Sequence, residues 1–177
     1  MATSETQEPE GEAFWRFSLA FYAVPGVAGA LIALQDREGL DVNLILFALW
    51  LGVSGRGRLD CDTLMAADRA VGEVRAGIVQ PLRTLRRRLS QNPDPDVQDL
   101  RRGVKAIELA AEKVVQTRLA RLAGPVCDAP ADIAAAHANL ALYLGPERVQ
   151  GAEAAVIRGA LSRLQFEDPS RMARPSV

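Results

Sequence analysis

The chain has 177 residues, 49% hydrophobic and 24% charged, with a formal net charge of −1. That length suits one domain with a core large enough to need no disulfide or metal. The composition excludes a disordered chain, a collagen-like chain and a disulfide scaffold. The near-zero charge argues against a surface built throughout for nucleic acid.

Cys61 and Cys127 form no CxxC or CxxH pair, so no zinc or redox motif is expected. Glu5, Glu8, Glu10 and Glu12 precede the first basic residue, Arg16, which is the wrong charge order for a secretory signal. Unpaired thiols with no such signal fit a reducing cytoplasm. Phe17 to Leu34 carries no charge and just reaches the ~18-residue minimum for a spanning helix. Pro25-Gly26 splits that run, and Gln35-Asp36-Arg37-Glu38 follows it. Buried core helices are therefore expected, and no membrane.

In chain order, residues 1–11 read as an acidic disordered tail. Glu12 to Ala23 is a first helix, with Trp15, Leu19 and Tyr22 on one face. Pro25 suits the first position of a second helix that runs to Glu38, with Gly39 as its left-handed cap. Asp41 is the N-cap of a third helix, Val42 to Val53, which is apolar nearly all round and so belongs at the centre of the core. Asp60 or Asp62 caps a fourth helix carrying Leu64, Ala67, Val71, Val74 and Ile78. Pro81 interrupts it or starts a continuation bearing Leu82, Leu85 and Leu89. Asn92-Pro93-Asp94-Pro95 is the clearest break. A long helix from Asp96 to Leu122 follows, with Val97, Leu100, Val104, Ile107, Ala111 and Val114 as its apolar stripe. Ala131 to Leu144 and Glu147 to Phe166 are two more helices, and a polar tail runs from 168 to 177. No run alternates with period two. The fold class is all-α: one domain, 12–167, of about six or seven helices packed antiparallel through short connections.

Two polar groups are candidate sites. At the corner between the second and third helices, Asp36, Asp41 and Asn43 offer oxygens to Mg²⁺ or to a small ligand. Local capping by Gly39 and Asp41, with Asn43 bonding nearby backbone, explains most of the same pattern. The other group sets Arg83, Arg86, Arg87 and Arg88 against Glu108 and Glu112. Arg101, Lys105, Glu108 and Glu112 share one edge of the long helix. Ion pairing across the two helices is expected there, with Arg83 or Arg86 against Glu108 or Glu112. An anion pocket of Arg83, Arg86 and Lys105 is the sharper alternative. His137 is the only histidine, and no Gly-x-Ser-x-Gly elbow supplies it with a nucleophile.

Several segments resemble a known family. Phe14-Trp15-Arg16-Phe17-Ser18-Leu19, Pro25-Gly26-Val27, Leu34-Gln35, Gly39-Leu40-Asp41-Val42-Asn43-Leu44 and Leu49-Trp50-Leu51 look like the N-terminal signature of small uncharacterised proteobacterial proteins. Pro81-Leu82-Arg83 and Lys105-Ala106-Ile107-Glu108-Leu109 resemble its later segments. The likeness spans roughly residues 13 to 120. It implies a bacterial, cytoplasmic, all-helical protein and carries over no catalytic residue.

The expected function is that of a cytoplasmic helical interaction or accessory protein. The partner is another protein rather than nucleic acid, and no cofactor or metal is expected. The alternative is a small-ligand or metal-dependent enzyme using Asp36, Asp41 and Asn43, or the Arg83, Arg86, Lys105, Glu108 and Glu112 group.

Overall fold

A computed structural model of the chain describes residues 10–126 and 132–164. Most of the expected acidic tail, Cys127, the end of the last helix at Phe166 and the C-terminal tail lie outside the described residues. The described chain is all-helical: α1 (Glu10–Tyr22), α2 (Val27–Glu38), α3 (Val42–Val53), α4 (Cys61–Val74), α5 (Gln80–Leu89), α6 (Pro95–Ala120), α7 (Ile133–Arg148) and α8 (Ala152–Arg163). A π-helical segment, Arg75–Val79, joins α4 to α5 in one continuous rod.

Every residue of α3 is buried. A helix with no polar face must be enclosed. Here α7 lies along one side of it, with α1, α2 and α6 on the others. Around this centre α1 and α5 pack on α6, and α2 packs on α8. At the α3–α7 crossing a Cβ added to Gly52 would sit 2.2 Å from the Ala136 backbone nitrogen. The Gly52 carbonyl also accepts from the Asp132 N–H at 3.1 Å, at the start of α7. Gly52→Ala must push two backbones apart. It is expected to cost about 1–3 kcal/mol or more in urea denaturation, as overpacking does. Unchanged stability would show that the crossing is looser than this.

Buried Asn139 fixes the loop after α3. Its Nδ2 donates to the Ala48 and Gly57 carbonyls at 3.0 and 3.1 Å, and its Oδ1 accepts from the Leu59 N–H at 2.7 Å. Asp60 then caps α4, accepting from the Thr63 N–H at 2.7 Å.

Several expectations are corrected. The inward face of α1 is Phe14, Phe17 and Phe21, whereas Leu19 and Tyr22 are exposed. The helix carries two apolar stripes, and the aromatic one stacks with α3: Phe14 lies 4.9 Å from Trp50 and 5.9 Å from Phe47. Pro25 does not start α2. Gly26, at φ 89°, makes the turn and Val27 is the first helical residue. Pro81 does start a continuation, the second of the two expected outcomes: it lies at the head of α5 and does not end the rod. In a regular α-helix its ring would press on the Gly77 carbonyl, four residues back, and leave that carbonyl without a donor. The wider π turn, closed by the Gln80 N–H on the Arg75 carbonyl, carries the rod past it. Gly145, at φ 78°, breaks α7 as expected, but the next helix begins at Ala152 rather than Glu147. On α6 and its neighbours, Leu100, Ile107, Val114, Ile78 and Leu85 are exposed rather than in the core.

No single described helix is long and apolar enough to cross a membrane. Among the described residues, α1 and α2 together pass that test, as a pair bent by 101°.

Candidate functional site

The corner between α2 and α3 starts with two local caps. Gly39, at φ 68°, closes α2 through its N–H on the Gln35 carbonyl. Asp41 is extended, and its Oδ1 accepts from the Asn43 N–H at 2.8 Å. Asp41 also makes two distant contacts. Its Oδ2 receives Arg75 Nη1 at 3.1 Å, and the same nitrogen reaches Asp68 Oδ1 at 2.7 Å. Its backbone N–H donates to the Tyr143 hydroxyl at 2.9 Å. Burial works against the Arg75 charge, but its hydrogen bonds to Asp68 and Asp41 outweigh it and raise its pKa. Burial pushes the Tyr143 hydroxyl up to about 12, so it stays protonated.

The second group lies alongside. Arg83 Nε meets Glu108 Oε1 at 3.2 Å, Arg83 Nη2 meets Glu112 Oε1 at 2.6 Å, and Arg83 Nη1 donates to Gln35 Oε1. Arg86 grips the Glu108 carboxylate with Nε and, at 3.2 Å, Nη2. Glu108 is only 6% exposed. Burial opposes its ionisation, yet the hydrogen bonds from Arg86 and Arg83 win and hold its carboxyl below the usual value. Glu112 goes the other way. Burial raises its pKa, and Arg83 does not fully compensate.

Between the two groups lies a cavity of about 330 Å³, lined by Gln35, Asp41, Asn43, Arg75, Arg83 and Tyr143 among others. That volume is within the usual range for small-molecule sites. Each of the three Arg83 nitrogens is already tied to a protein partner, which fixes the guanidinium in place. Three other groups keep donors in hand. Arg75 uses only Nη1. Tyr143 accepts a hydrogen bond but gives none to a described residue. Asn43, itself 6% exposed, accepts from Gln116 Nε2 at 2.9 Å, while its Nδ2 meets no acceptor among the described residues. Asn43 thus bonds across the core rather than to nearby backbone. Gln116 in turn accepts from the Ser18 hydroxyl at 2.9 Å, which ties α3, α6 and α1 together.

The structure brings Asp41, Asn43 and Arg83 to one cavity, with Glu108, Glu112 and Arg86 bracing its Arg83 side. It leaves out two expected members. Asp36 faces outward and pairs with the exposed Arg87 at 2.7 Å. Lys105 is exposed on α6 and shares none of the group's bonds. The anion pocket of Arg83, Arg86 and Lys105 is not assembled, because Lys105 stands apart from two arginines that Glu108 and Glu112 already engage. Among the described residues no three His, Cys, Asp or Glu side chains gather as metal ligands. His137 is not part of this cavity, and its Nε2 is buried without a partner among the described residues. Sequence reasoning missed Arg75, Tyr143 and Gln116. Arg75 does interrupt an otherwise apolar run, Val74 to Val79, but Tyr143 and Gln116 give no local signal.

A model of an uncharacterised family matches residues 13–119. The chain belongs to the DUF2390 family, described as proteins of unknown function. No curated protein and no solved structure matches the chain. The DUF2390 segment runs from within α1 almost to the end of α6. It supplies both ion-paired groups, while Tyr143 reaches the cavity from α7, beyond that segment.

Proposed function

We propose that this DUF2390 protein is a helical accessory protein that acts by binding, and that the cavity beside Asp41 holds its small ligand. The observation carrying this reading is the convergence on one cavity of Asn43 Nδ2, Arg75 and the Tyr143 hydroxyl, three donor groups with hydrogens that no described residue takes. Asn43 Nδ2 opens to the cavity rather than being sealed in the core, so a ligand there can accept from it.

The chemistry of the wall selects the ligand class. Arg75, Tyr143 and Asn43 all touch Asp41 and all retain hydrogen-bond donors. They suit a carboxylate-like group, with Arg75 as a planar fork. Asp41 and Asp68 balance Arg75, and Glu108 and Glu112 hold Arg83, so a bare anion gains little. A small zwitterion fits better, its carboxylate on the three donors and its cationic group toward Asp68, which is half exposed. A cytoplasmic setting accords with Cys61, an exposed free thiol.

Thermal shift against amino acids, betaines, dicarboxylates and inorganic phosphate, followed by calorimetry, tests this. A zwitterion should raise the melting temperature, and phosphate at equal ionic strength should not. Tyr143→Phe is expected to weaken binding about tenfold, the worth of one hydrogen bond to a charged group. Arg75→Gln should abolish binding while the chain stays folded. Absence of any response across the zwitterion series would overturn the reading.

A further inference from the structure

The outer face of α6 carries a repeat that the packing of this chain does not use. Leu100, Ile107 and Val114 stand seven residues apart and are 59%, 58% and 48% exposed. Gly103 and Ala110 lie between them on the same face and are also exposed. A Cβ added at Gly103 would meet nothing. A seven-residue spacing with intervening small residues is the pattern of a helix seam that seats another helix. The buried side of α6, with Val104, Glu108, Val115 and Leu119, points elsewhere.

The charges around this seam identify the occupant. None of the seam residues from Leu100 to Val114 is charged. The N-terminal end of the face carries exposed Asp96, and the C-terminal end carries exposed Arg118 and Arg121. One end is acidic and the other basic. A second identical helix laid antiparallel meets opposite charge at both ends. A parallel one meets like charge at both. Antiparallel pairing also sets the helix dipoles head to tail.

We propose that α6 is a homodimer interface, in which two copies of this chain pair antiparallel through their outer faces about a twofold axis at Ile107. Ile107 then packs on Ile107 of the second copy. Leu100 faces its Val114, Asp96 faces its Arg118, and the small residues let the two backbones approach. The interface is isologous and closes at two copies. It stands on observations separate from those at the cavity, and neither proposal depends on the other.

Sedimentation or light scattering of the full chain at high-micromolar concentration tests it. The wild type should be a dimer. Ile107→Glu and Leu100→Glu alter exposed side chains, so both should keep the helical circular dichroism and run as monomers. Arg118→Asp should shift the equilibrium toward monomer, and adding Asp96→Arg to it should restore the dimer. Restoration separates antiparallel from parallel pairing, because in a parallel dimer the double change leaves like charges facing. A monomeric wild type overturns the proposal, as does a dimer that survives both glutamates. A dimer weakened by the glutamates but not rescued by the charge exchange overturns the antiparallel arrangement.

Discussion

Trp50→Ala is expected to cost about 3–5 kcal/mol, read as a lower midpoint in urea with an unchanged slope. Trp50 is 3% exposed on a helix with no outward face. Its ring stacks on Phe14 at 4.9 Å, lies 6.4 Å from Phe47, and carries the Arg56 guanidinium 4.3 Å from its centroid. Removing it vacates a space whose walls come from three places in the chain: α1, α3 and the loop after α3. Alanine leaves them no common way to collapse inward. Trp50→Phe keeps most of the stacking surface and should lose clearly less. Equal losses for the two variants would mean that the indole does not organise this junction.

Glu108→Ala is expected to cost about 3 kcal/mol. Removing one partner of a buried ion pair strands the other charge. The figure sits at the low end of the usual range, because Arg83 and Arg86 are 20% and 27% exposed and keep some water. Glu108→Gln separates charge from shape through pH. The folded pKa of Glu108 is lowered, so its contribution is present above the unfolded value of about 4.3 and is lost as the pH falls through the folded value. The wild type should therefore lose this stability in acid, and Glu108→Gln should lack that loss. Glu112 has a raised pKa, so the sign reverses. Its contribution is present below about 4.3 and is lost as the pH rises through the folded value. Glu112→Gln should then be neutral or stabilising at pH 7, where Glu108→Gln destabilises. Melting curves of both variants from acid to neutral pH decide it. Equal behaviour of the two would refute the division of roles between these carboxylates.

Local signals carried much of the fold. Asp41 and Asp60 accept from N–H groups two and three residues on, and Gly39 takes a conformation that the following turn requires. Such interactions are complete within a few residues, so they can be read before any packing is known. The all-apolar run Val42 to Val53 likewise has one outcome, because no face of it can meet water. The ion pairs of Arg83 and Arg86 with Glu108 and Glu112 follow from a short connection between two helices with facing charged edges.

Tertiary structure decided which of two competing faces turns inward. In α1, Phe14-Phe17-Phe21 and Trp15-Leu19-Tyr22 are both apolar at helical spacing, and only the neighbouring α3 selects the first. In α6 one apolar stripe divides. Val104 enters the core and Ala111 packs against it, while Leu100, Ile107 and Val114 stay outside, because burial depends on where α1 and α5 sit and periodicity does not encode that. The cavity shows the same limit. Asp41 announces itself as a cap, but its partners Arg75 and Tyr143 lie 34 and 102 residues away, and Asn43 bonds Gln116 at a separation of 73. Contacts at such distances are made by the packing of helices, so no spacing in the sequence could record them.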